Sequence, residues 1–87
     1  MYVIVIYDVA SERTTKLHKA CKKYLTWVQN SVFEGELSDL QLRCLRDDCW
    51  AVMDESYDSL IIFRTRTEKW LEREVYGVER GDIGQFL

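Results

Sequence analysis

The chain lacks most of what announces a membrane protein or a common enzyme. Across its 87 residues no apolar run approaches the ~20 residues that span a bilayer. The N-terminus has no basic start and no small-residue cleavage site. The opening "YVIVIY" therefore reads as a strand rather than a signal peptide, which points to a cytoplasmic protein. There is a single histidine, His18, set among lysines on a predicted helix, where it reads as an exposed surface residue. Cys21, Cys44 and Cys49 are odd in number and form no CxxC pair. That spacing argues against a zinc site or a disulfide framework and leaves them as small buried apolar residues. No GxSxG, HExxH, P-loop or GxGxxG occurs, so the common hydrolase and nucleotide-binding signatures are missing. Internal repeats, low-complexity stretches and linkers are also missing.

What is present is an ordinary globular composition, 47% hydrophobic and 31% charged. A domain of this length has little core to spare and is often helped by oligomerisation. The net charge of −3 argues against nucleic acid only until its distribution is considered. Residues 1–33 carry five basic and two acidic residues, residues 34–58 two basic and eight acidic, and residues 59–87 five of each. The molecule is polarised, with a basic first helix and an acidic second one. The acidic helix is expected to point away from any bound polyanion.

The periodicities predict βαββαβ. Residues 2–7 are a continuous apolar run and read as a central strand. Ser11 is a plausible cap for a helix whose apolar face holds Leu17, Ala20, Cys21, Tyr24 and Leu25, with Lys16, Lys19 and Lys23 opposite. "TWVQNSVFEGEL" reads as two short strands broken at Gln29-Asn30-Ser31. Ser38 and Gln41 make a capping box for the second helix, with Leu37 and Leu42 as its hydrophobic staple. "SLIIFRTR", residues 59–66, is the last strand of the core. The order is that of a ferredoxin-like α+β domain, an antiparallel sheet with both helices on one face. The core is expected over residues 1–66. Residues 67–87 form a C-terminal arm whose Trp70, Leu71, Val75, Tyr76, Val78, Ile83, Phe86 and Leu87 need a surface to cover. The open sheet edge of a partner is one candidate.

Three features carry possible chemistry. Asp8 stands at the carboxyl end of the first strand. It is either a functional acid or a structural one that caps the first helix or pairs with Arg13. One carboxylate is a poor Mg²⁺ site, but a two-fold dimer that brought two Asp8 side chains together would supply a second. The stripe of Lys16, Lys19 and Lys23 with Arg13 is either a solvated helix face or a phosphate-binding surface. In "QNSVFEG", Ser31 is a turn residue or a functional hydroxyl, and Phe33 is core or site.

The segments "VIVIYDV" ending its acid at Asp8, "VQNSVFEGEL" at residues 28–37, "DSLIIFR" at 58–64 and the closing "EREVYGVERGDIGQFL" resemble a known family. It is the small CRISPR-associated adaptation protein, the non-integrase subunit of the spacer-acquisition complex. The resemblance covers essentially the whole chain. It implies a ferredoxin-like sandwich in a symmetric homodimer, with an extra C-terminal strand paired onto the partner protomer. It implies Mg²⁺-dependent endonuclease activity on RNA or double-stranded DNA, with Asp8 at the metal-ligand position. Tyr7, Arg13, Ser31 and Phe33 fall where the family has residues implicated in activity. Asn30 stands where the family often has a basic residue. It also implies a scaffold role, bridging integrase dimers on protospacer DNA, for which cleavage is dispensable and Asp8 structural. A toxin-like ribonuclease of a related ferredoxin-like family is a further alternative.

Overall fold

The computed structural model describes residues 1–81. Strand β1 (Tyr2–Asp8) is followed by a 3₁₀ turn (Ser11–Arg13), helix α1 (Thr14–Lys22), the hairpin β2 (Thr26–Gln29) and β3 (Val32–Glu36), helix α2 (Asp39–Val52) and strand β4 (Ser59–Thr65). The strands form one antiparallel sheet in the order β2-β3-β1-β4. This is the ferredoxin-like α+β arrangement the sequence predicts. A second 3₁₀ turn (Glu68–Trp70) opens the tail.

Alternation along β1 sorts the two faces of the sheet. Val3, Val5 and Tyr7 are buried with Leu17, Ala20, Cys21, Leu25, Phe33, Leu37, Leu42, Leu45 and Cys49 in a single core beneath the helices. Ile4, Ile6 and Asp8 lie on the opposite face. Their cross-strand partners on β4 are Phe63, Ile61 and Ser59. Among the described residues no helix covers that face; Arg73 of the tail reaches Glu34 on its β3 side, and Ile6, Ile61 and Phe63 are 36%, 49% and 55% exposed.

The β2–β3 turn works because Asn30 accepts the left-handed conformation, φ 44°, that asparagine tolerates better than most residues. The capping box of α2 is present in full. Gln41 N donates to Ser38 Oγ at 3.1 Å and Ser38 N to Gln41 Oε1 at 2.9 Å. Leu37 and Leu42 are both buried at this corner.

Two expectations are corrected. Ser11 does not cap the first helix: it opens a 3₁₀ turn with no side-chain cap, closed by Arg13 N on the Ala10 carbonyl at 2.9 Å. His18 is not a free surface residue. It is half-buried, its ring 5.0 Å from Phe33 and 6.2 Å from Trp27, because β2 and β3 present two aromatic rings to that side of α1. The acidic helix also meets the basic one. Asp48 of α2 takes Lys23 Nζ at 2.7 Å and the Tyr24 hydroxyl at 2.6 Å. That hydrogen bond to Asp48 pushes Tyr24 up to about 12, and the Lys23 and Tyr24 donors hold Asp48 below the usual aspartate value.

Cys21 and Cys49 meet across the helix pair with their sulfurs 3.9 Å apart, both buried, and Cys44 is half-buried. The hydrogen bond to Cys49 and burial push the Cys21 thiol up, so this sulfur stays protonated at neutral pH.

The described part of the tail lies on its own protomer. Arg73 pairs with the buried carboxylate of Glu34 on β3. Gly81 rests against the backbone of β2, where a Cβ would come within 2.4 Å of the Trp27 carbonyl oxygen. The expected contributions of Ile83, Phe86 and Leu87 lie outside the described residues.

Candidate functional site

The carboxyl end of β1 sits where the sheet ends and two loops cross it. One loop runs from Asp8 to α1, the other from α2 to β4. They are locked together by Asp58, the residue before β4, whose side chain has no exposed surface. Its oxygens accept from Ala10 N at 2.9 Å, Arg13 Nε at 2.5 Å, Arg13 Nη2 at 3.0 Å and Asp54 N at 2.9 Å. The Arg13 fork and the two backbone N–H groups hold this carboxyl far below the usual aspartate value. Asp54 repeats the device on a smaller scale, accepting from the hydroxyl and backbone of Ser56 at 2.7 and 3.0 Å, which lowers its pKa as well.

This clamp separates the two readings of Asp8. The structural alternative required Asp8 to cap the helix or pair with Arg13. Arg13 pairs with Asp58 and with Glu12 instead. Asp8 is exposed and, among the described residues, makes no hydrogen bond or ion pair. It stands beside Ser59 at the margin of the uncovered Ile6–Ile61 strip. Asp58 has no role among the sequence-based expectations. Its signal was an acid directly preceding a strand that ends next to β1, in the same "DSLIIFR" segment that carried the resemblance.

The other candidate residues divide by face. Tyr7 is on the helix side of the sheet, buried and stacked on Phe33 with ring centroids 6.1 Å apart. Burial raises the Tyr7 pKa. Phe33 has no exposed surface. Both rings shape the strand end from beneath and are screened from solvent. Ser31 is half-buried in the hairpin turn, and its carbonyl accepts from Tyr7 N at 3.2 Å. That bond ties the turn to the strand end that carries Asp8.

The basic residues divide too. Arg13 is committed to Asp58 and Lys23 to Asp48. Lys16 and Lys19 are exposed and, among the described residues, have no ion pair. They lie on the outer side of α1, in the layer away from Asp8.

As to metal, no group of three His, Cys, Asp or Glu residues is gathered among the described residues. Asp58, though nearby, has its oxygens taken by four donors. Asp8 is open to solvent, but as a single carboxylate it could hold Mg²⁺ only with further ligands from outside this chain. A Mg²⁺ site completed by waters and substrate phosphates needs only one or two such ligands.

A four-stranded antiparallel sheet with two helices on one face, and an unengaged acid where β1 ends, defines a small ferredoxin-like domain with its candidate site at a strand terminus. The family model described as "CRISPR associated protein Cas2" matches residues 1–73, and the chain belongs to that family. It is 45% identical over 87 residues to a protein of Frankia alni named "CRISPR-associated endoribonuclease Cas2", covering all of both chains. It is 39% identical to the protein of the same name from Dictyoglomus turgidum, again over all of both chains. A solved structure titled "Crystal structure of cas2" superposes with a TM-score of 0.84 at 44% identity, over 92% of this chain and 90% of that one. No helix among the described residues is long and apolar enough to cross a membrane.

Proposed function

We propose that this chain is a homodimeric, Mg²⁺-dependent endonuclease of a CRISPR adaptation system, with Asp8 as the metal-binding acid. The observation that carries the reading is the position of Asp8: its side chain is exposed, unpaired among the described residues, and beside the open Ile6–Ile61 strip of the sheet. Relatives named endoribonucleases support a nucleic-acid substrate. Bound at Asp8, Mg²⁺ supplies activation of water and neutralisation of charge on the scissile phosphate. The chain itself positions that carboxylate. Asp58 holds the following loop through Ala10 and Arg13, Ser31 ties the hairpin to Tyr7, and the Tyr7–Phe33 stack supports the strand end from below. The Ile6, Ile61 and Phe63 strip is the surface two copies would share. A two-fold axis beside it brings the two Asp8 side chains toward one another. The tail, residues 67–87, whose described part packs on its own sheet in the single chain, is proposed to exchange onto the partner's sheet in that dimer.

Phe63→Lys tests this. Withdrawing one Phe from water is worth roughly 2 kcal/mol, and a two-fold interface uses it twice. The variant is expected to sediment as a monomer at concentrations where the wild type is a dimer, and to lose Mg²⁺-dependent cleavage of RNA and duplex DNA with its fold intact. A Phe63→Lys protein that stays dimeric and cleaves normally would rule out this face.

A second reading, a non-catalytic scaffold that bridges integrase dimers on protospacer duplex, is favoured by the placement of Lys16 and Lys19 in the layer away from Asp8. Binding through α1 is then separable from cleavage. Replacing Lys16 and Lys19 with Gln is expected to flatten the slope of log affinity for duplex DNA against log salt by up to about 2, since each phosphate contact contributes ~0.9. An unchanged slope would make this helix side a merely solvated one.

A further inference from the structure

The opposite end of the sheet carries a second group of residues that the Asp8 site does not use. β1 pairs with β4 from Asp8↔Ser59 to Tyr2↔Thr65. Six residue steps at ~3.3 Å place the two ends about 20 Å apart. At the far end Met1, Arg64, Thr65, Arg66 and Trp70 line an open cleft of about 570 Å³. Arg64 and Arg66 are exposed and, among the described residues, have no carboxylate within ion-pair distance. Trp70 is 71% exposed. It is not on a loose end: its 3₁₀ turn is closed by Trp70 N on the Thr67 carbonyl at 3.1 Å and Leu71 N on the Glu68 carbonyl at 2.9 Å.

The other two tryptophans differ in setting. Trp27 is half-buried with its indole N–H on the Asn30 carbonyl at 2.9 Å. Trp50 lines a cleft that also holds Asp47 and Asp58. Only at Trp70 does an exposed indole share a cleft with cations and no acid. An uncovered aromatic plane flanked by unneutralised guanidinium groups is matched by a base and its adjoining phosphates. The plane stacks on any base, while the forks take phosphate oxygens.

We propose that the cleft of Met1, Arg64, Arg66 and Trp70 is a second nucleic-acid subsite. It stacks one unpaired base of a single-stranded segment on Trp70 and holds the flanking phosphates with Arg64 and Arg66. The proposal rests on the reading of the chain as a nucleic-acid-acting protein. It does not depend on Asp8 or on cleavage.

The test uses the full chain in EDTA, so that nothing is cut, with an eight-nucleotide oligouridine and a blunt duplex of the same length as probes. Trp70→Ala is expected to weaken oligouridine binding about 5- to 100-fold, the range that corresponds to losing one stacked base. Trp70→Phe, which keeps a π-face, is expected to recover most of it. Arg64→Gln with Arg66→Gln should flatten the salt slope for oligouridine by about 1.4, at ~0.7 per phosphate on a single strand. Affinity for the blunt duplex should change little in Trp70→Ala. Trp70→Ala that binds oligouridine as tightly as wild type would overturn the subsite. If that variant changed only the sedimentation of the protein, the ring would belong to a contact between copies and the subsite would again be overturned. Wild type that binds the duplex but not oligouridine would overturn the subsite alone. Wild type that binds neither probe would overturn the nucleic-acid reading with it.

Discussion

Asp8→Asn is expected to abolish Mg²⁺-dependent cleavage while leaving fold, dimer and duplex binding intact. Asparagine keeps the shape of aspartate and removes the charge that holds a divalent cation. Metal stabilisation of the transition state is worth several kcal/mol, so its loss should lower the rate by a hundredfold or more. Three measurements bear on the claim. The melting temperature should not fall, because the Asp8 side chain is exposed and makes no hydrogen bond or ion pair among the described residues. Duplex affinity in EDTA should not fall, because the unpaired lysines are on α1 in the other layer. In the dimer proposed above, two like-charged carboxylates brought close repel each other, and a cation between them relieves that repulsion. Calorimetric Mg²⁺ binding should therefore disappear in the variant. Asp8→Asn protein that still cleaves at the wild-type rate with Mg²⁺, once contaminating nuclease is excluded, would falsify the metal-ligand role.

Asp58 should behave in the opposite way. Asp58→Ala leaves the Arg13 guanidinium with only the exposed Glu12 and strips the Ala10 and Asp54 N–H groups of their acceptor. Unpaired polar groups in a part-buried loop junction are among the costly consequences of a single substitution. The melting temperature should fall by several degrees at pH 7, and cleavage should fall with it as the loop after Asp8 loosens. The pH dependence has a definite sign. Asp58 is held below its unfolded value, so it stabilises the folded chain fully above the ordinary aspartate pKa of about 3.9, and that stability is lost as pH falls toward the folded value. The gap in melting temperature between wild type and Asp58→Asn should therefore be widest near neutral pH and narrow progressively below about pH 4. Equal melting temperatures at pH 7, or a gap that ignores pH, would show that the clamp contributes nothing.

The two acids show how far sequence reasoning reaches. Both stand at strand ends in short recognisable segments, and pattern alone assigns Asp8 to the end of β1. Which acid takes Arg13 is a different matter. Arg13 and Asp58 are 45 residues apart, and only the antiparallel pairing of β1 with β4 brings their loops together. The same holds for His18. Helical spacing puts it near the lysines, and it takes the hairpin's Trp27 and Phe33 to make a half-buried residue of it. Ser11 fails as a cap for a local reason. The chain enters the helix through a 3₁₀ turn, so a residue with the right chemistry is one turn too early to use it.

Local rules were enough for the element order, the hairpin turn at Asn30, the capping box at Ser38 and Gln41, and the apolar face of α1. Each depends on contacts within a few residues or on a period of two or 3.6. The tertiary structure alone decided which charges are spent and which remain free. Arg13 and Lys23 are neutralised by acids from distant segments, while Asp8, Lys16, Lys19, Arg64 and Arg66 have no such partner among the described residues. The physical reason is that a charge's partner is chosen by through-space distance, and that distance is set only when the sheet closes.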